Sequence, residues 1–139
     1  DNTKVVTFDW DAALDFNGQA APYIQYAHVR AGSILRKADQ DLPGEVDFPG
    51  ELEKAEVDLI ELITRLPADI LRAAEEYRPL IVANLAFDLA RAFNDFYNTC
   101  HVLNAESEVR AYRLRLVAAA QQAIATSLQL LGIEAPSMM

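Results

Sequence analysis

The chain has 139 residues, 52% of them hydrophobic and 24% charged, which is the balance of one globular domain able to bury a core rather than that of a disordered polymer. No uninterrupted apolar run approaches the roughly 20 residues that cross a bilayer, and the lone Cys100 excludes an internal disulfide and a multi-cysteine metal site while suiting a reducing, cytoplasmic setting. A net charge of −9 speaks at first against a phosphate-binding surface, but nine of the 21 acids fall between residues 39 and 61 against one base, Lys54, so the rest of the chain is near neutral.

In chain order, residues 1–8 carry a short β-branched run, KVVTF, without a signal-peptide pattern or an initiator Met, and read as a boundary remnant of a cut end. Asp9-Trp10-Asp11 offers an N-cap and an acidic first turn for a short helix as far as Phe16, where Asn17-Gly18 supplies a turn. Pro22 suits a first helical position, and the helix it opens is expected to reach about Ala38. Residues 39–50 carry Pro43, Gly44, Pro49 and Gly50, too many breakers for a regular element, and read as an internal loop.

Apolar positions repeat at three and four through residues 51–66, which predicts an amphipathic helix with its acids outward. Pro67 is expected to start a separate helix that buries Ile70, Leu71 and Ala74 and stops before Pro79. Pro79 then opens a longer one in which Leu85, Leu89, Phe93 and Phe96 form one apolar row and Ala86, Ala90 and Tyr97 its neighbour, so this helix should be central. After a short connection over residues 100–104, the last helix runs from about Ala105 to Leu131, where Gly132 suits the residue after a helix end and Pro136 forbids continuation. The fold class is all-α, a single bundle of five or six helices spanning residues 1–139.

Catalytic chemistry finds no support. His28 and His101 stand in no metal-ligand spacing, no phosphate-binding glycine loop or nucleophile elbow is present, and no cofactor or catalytic residue is expected in this chain. A better lead is the helix from Pro22, where a step of roughly 100° per residue gathers Tyr23, Tyr26, Arg30, Ser33 and Lys37 within an arc of roughly 80°. Two phenol rings beside cations can stack unpaired bases and hold their phosphates. An amphipathic helix with boundary tyrosines and solvated cations has the same pattern, so the stripe alone is compatible with both. Tyr97 at the end of the central helix and His101 in its following loop lie four apart, and Arg110, Arg113 and Arg115 bring further cations near His101. Gln25 and His28 point away from the tyrosine stripe and read as packing or capping residues.

The string Phe16-Asn17-Gly18-Gln19-Ala20-Ala21-Pro22-Tyr23-Ile24-Gln25-Tyr26-Ala27-His28-Val29-Arg30 resembles the start of the C-terminal, anticodon-binding helical domain of arginyl-tRNA synthetases, the DALR-type domain. The resemblance continues through residues 92–103, AFNDFYNTCHVL, and 111–114, AYRL, to the closing LLGIEAP at 130–136. It implies a domain that receives the anticodon loop of arginine tRNA and reads its middle cytosine. Tyr23 and Tyr26 stand where the family contacts the loop with rings, Tyr97 and His101 where it lines a pocket for flipped-out bases, and Met139 at the chain end that lies against the loop. Arg30 and Arg113 complete the expected RNA-binding set.

The parent implied is an ATP-dependent arginine–tRNA ligase whose catalytic domain, upstream, holds ATP and arginine. Arginine tRNA and that catalytic domain are the expected partners, with no DNA, no membrane and a monomeric fragment. The competing reading is a helical interaction module that docks on protein without touching RNA. The two part on whether Tyr23, Tyr26 and Tyr97 are buried or line one exposed concavity with Arg30.

Overall fold

The computed structural model describes residue 10 and residues 21–38, 42, 44–47 and 50–139, in which four helices account for all regular elements longer than a turn. These are α1 (Ala21–Ala38), α2 (Lys54–Glu75), α3 (Leu80–Thr99) and α4 (Ser107–Leu130). The fold is all-α, as expected, but the described residues hold four helices rather than five or six. The short helix and turn read over residues 9–18 lie outside the described residues apart from Trp10.

The other difference in number has a physical cause at Pro67. The two helices expected on either side of it are one, because α2 runs through the proline. An interior proline costs about 3 kcal/mol in a lost hydrogen bond and a ring clash, so something must hold the two halves in line. Asp69, nearly buried, accepts from Arg65 at 3.1 Å and from Arg72 at 3.0 Å, and the first of these ion pairs spans the proline. Continuity also fixes the helix phase. The inward series Leu59, Leu62, Ile63 and Leu66 carries on to Asp69, Ile70 and Ala73, so Leu71 and Ala74, expected inside, are exposed.

Helix α3 is central, as its wide apolar face predicts: Leu85, Ala86, Leu89, Ala90, Phe93 and Phe96 are buried, and it packs against each of the other three helices. Helix α4 contributes Leu114, Val117, Ala120, Ile124 and Leu128 to the same core. Helix α1 lies antiparallel to α4, its small residues Ala27, Ala31 and Gly32 allowing a close approach. A Cβ at Gly32 would stand 2.8 Å from the Gln121 amide nitrogen, so a larger residue there would require the Gln121 side chain to move.

Both long helices end in the same backbone motif. After α4, Gly132 takes φ +72° while Ile133 N–H donates to the Leu128 carbonyl and Gly132 N–H to that of Gln129. After α2, Tyr77 takes φ 53° with the equivalent bonds from Arg78 to Ala73 and from Tyr77 to Ala74. The first turns the chain back towards α1; the second delivers it to Pro79 and α3.

Candidate nucleic-acid interface

The aromatic stripe of α1 meets the C-terminal end of α3. Arg30 lies between two rings, its guanidinium carbon 4.6 Å from the Tyr26 ring centre and 4.7 Å from that of Tyr97. Its Nη1 donates to Asn94 Oδ1 at 3.0 Å and its Nη2 to the Tyr26 hydroxyl at 2.9 Å. The Tyr–Arg–Tyr stack is therefore keyed from both helices. A guanidinium has five N–H donors and these bonds use two, so the fork keeps donors for a phosphate or a base edge. Tyr26 and Tyr97 are 48% and 43% exposed, which makes the stack a surface and not a core contact.

Two concavities flank this stack. The larger, about 600 Å³, lies between α1 and the loop after α3, with Arg30, Lys37, Tyr97, Asn98 and His101 on its walls. The smaller, about 490 Å³, lies on the other side and is lined by Pro22, Tyr23 and Asn94. Tyr26, Arg30, Asn98 and Met139 belong to both and form the ridge between them. Tyr23 is half-buried, its ring centre 5.4 Å from that of Phe87, so its place is the floor of the smaller hollow. His101 is exposed at the rim, and Met139 is 68% exposed.

Of the seven residues singled out from the sequence, six converge here and Arg113 does not. Arg113 Nε donates to Glu56 Oε1 at 2.8 Å in an almost buried ion pair, and Nη1 donates to the His101 carbonyl at 2.9 Å. Glu56 is 1% exposed, so the expectation that every acid of this segment faces outward also fails here. A buried arginine needs a counter-charge, and α4 draws the first-turn glutamate of α2 inward to supply it. Arg113 supports the loop that carries His101 and stays behind it. Arg110 likewise donates to the Ala38 carbonyl at the end of α1, and Arg115 lies by residues 44–47.

Asn94 and Asn98 were missed as site residues. A signal for them existed: Asn94, Tyr97 and Asn98 recur at i, i+3 and i+4 and so share one face at the end of α3, and asparagine is a poor helix former. Among the described residues no group of three or more His, Cys, Asp or Glu could hold a metal ion, and no helix is long and apolar enough to cross a membrane.

Residues 24–139 match the DALR anticodon binding domain. The chain belongs to that family. This anticodon-binding domain is 47% identical over 137 residues to the arginine–tRNA ligase of Haloarcula marismortui, covering 99% of the chain and 24% of that protein. To the corresponding ligase of Archaeoglobus fulgidus it is 48% identical over 132 residues, with 94% and 24% covered. The solved arginyl-tRNA synthetase of Thermus thermophilus superimposes with a TM-score of 0.82 at 40% identity, over 95% of this chain and 23% of that one. The DALR-domain chain thus spans about a quarter of the length of the curated relatives it matches.

Proposed function

We propose that this domain receives the anticodon loop of arginine tRNA in the divided cleft, with splayed bases on either side of the Tyr26–Arg30–Tyr97 ridge, as the C-terminal domain of a cytoplasmic arginine–tRNA ligase. The observation that carries the reading is the ridge itself. It presents two half-exposed rings, a fixed guanidinium and two asparagine amides to a pair of hollows in a domain whose relatives are arginine–tRNA ligases. Rings stack bases for about 1–3 kcal/mol each, and amides and guanidinium read base edges. The middle cytosine, with one exocyclic amine and one carbonyl, suits an asparagine side chain. ATP and arginine would belong to the parent's catalytic domain. The exposed Leu80, roughly 25 Å along α3 from Tyr97 by helical rise, offers with the exposed Leu71 and Tyr77 apolar surface for the rest of the parent.

The test is fluorescence anisotropy with an arginine-type anticodon stem-loop and with the same loop carrying a changed middle base, each at two salt concentrations. A cytosine preference that survives the higher salt supports base readout. Equal binding to both, erased by salt, would reduce the cleft to a weak electrostatic surface and return the protein-docking reading. Arg30→Met should weaken the stem-loop by more than tenfold, since it removes both stacked-cation contacts and the Asn94 bond, and should change thermal stability by only a few degrees.

A further inference from the structure

The residues after α4 do not trail away from the bundle. After the Gly132 reversal, Ile133 and Ala135 pack against the core, and α1 holds the backbone between and beyond them. Gln25 Nε2 donates to the Glu134 carbonyl at 2.8 Å, and His28 Nδ1 lies 3.0 Å from the Pro136 carbonyl. A carbonyl only accepts, so His28 must carry its proton on Nδ1. Gln25 and His28 are three apart on one helix face, while residues 134 and 136 are two apart, and both their carbonyls meet that face. The match in spacing lets one helix face grip every second carbonyl. Pro136 restricts Ala135 to extended conformations and fixes its own φ, so little freedom is lost when the tail is held. Three residues beyond the second bond, Met139 reaches the ridge and lines both hollows beside Tyr26 and Arg30.

We propose that Gln25 and His28 form a latch that places the tail, and through it Met139, as a wall of the cleft; they are positioning residues for RNA recognition and not contacts with RNA. This rests on the reading of the cleft as an anticodon-loop site. Neither residue lines either hollow. His28 is buried, and the outward side of its helix carries the tyrosines. Without the latch the tail keeps its core anchors at Ile133 and Ala135, while the residues after them lose their only described hydrogen bond to α1.

The experiment uses the 139-residue chain with methyl-labelled methionine. His28→Phe keeps the ring's bulk without a donor, and Gln25→Glu keeps the length but turns the donor into an acceptor. Each should move the Met139 methyl signal towards its random-coil position in the absence of RNA, and each should weaken the cytosine stem-loop by about tenfold, near the lower end of one stacking contact. In a Met139→Gly background the same substitutions should weaken binding less than twofold, because the wall they position is already gone. An unmoved Met139 signal, or a tenfold loss that persists in the Met139→Gly background, overturns the latch. If the unmodified chain shows no cytosine preference, the anticodon reading falls, while the methyl signal still decides whether the latch exists.

Discussion

Removing the Glu56 carboxylate tests the packing behind the cleft. Glu56 acts at three places: Oε2 accepts from the Glu53 N–H at 2.8 Å and closes the capping box of α2, Oε1 pairs with Arg113, and Arg113 in turn holds the His101 carbonyl. Leaving one partner of a buried pair alone costs about 3–5 kcal/mol. A lost cap adds about 0.5–2 kcal/mol. Arg113 retains 14% exposure and its bond to the His101 carbonyl, so part of its charge can be resolvated and the lower end applies. Glu56→Ala should therefore destabilise by about 3–4 kcal/mol, a large share of the 5–15 kcal/mol typical of a domain. Urea unfolding followed by far-UV circular dichroism reads it directly. Arg113→Met should cost about 3 kcal/mol, since it strands the carboxylate. The double variant should lose little more than either single change, giving a coupling of at least about 2 kcal/mol. Additivity within about 0.5 kcal/mol would refute the claim that these two groups are each other's counter-charge.

Pro67→Ala should stabilise the protein by about 1–2 kcal/mol, because removing an interior-helix proline recovers more than the unfolded chain gains in freedom; a loss of stability in the same urea titration would restore the two-helix reading. Tyr77, 91% exposed at φ 53°, carries left-handed strain of about 1–2 kcal/mol. Tyr77→Gly relieves it against a smaller entropic cost, so the expected gain is about 0.5–1 kcal/mol in thermal or urea unfolding, and a clear destabilisation would mean that the ring makes contacts that matter. Burial pushes the Cys100 thiol above its ordinary range, and burial together with Glu56 pushes the Tyr112 phenol up. In both cases the unfolded chain ionises first, so stability is full below the unfolded thiol value near about 8.5 and falls as pH rises beyond it. Cys100→Ala should flatten the first part of that decline in unfolding midpoints measured from pH 8 to 10, and an unchanged slope would show that the thiol is not the source.

The helices and the cleft were legible in the sequence to different depths. Periodicity fixes which side of a helix is apolar, so α1, α3 and α4 and their core faces follow from the order of residues alone. The Tyr26–Arg30 stripe follows for the same reason, as one face of one helix. Pro67 misleads because a local rule, that proline starts or breaks a helix, competes with packing that exists only when α2 lies against α3. A break at Pro67 would reset the helical phase and turn Leu71 inward, whereas the continuous helix buries Asp69 and Ala73 and leaves Leu71 exposed.

By itself the sequence determined the all-helical class, the caps at Gly132 and Pro79, the central helix and the two aromatic positions of α1, because each depends on neighbours within about one or two turns. Only the tertiary structure decided which cation enters the cleft. Arg30 and Arg113 look alike in sequence, both basic residues near an aromatic stripe. One meets Tyr97 and Asn94 across a helix pair at the surface, and the other meets a buried glutamate 57 residues away. Which charge is offered to a ligand and which is neutralised inside is set by long-range partners, and those exist only after the helices have packed.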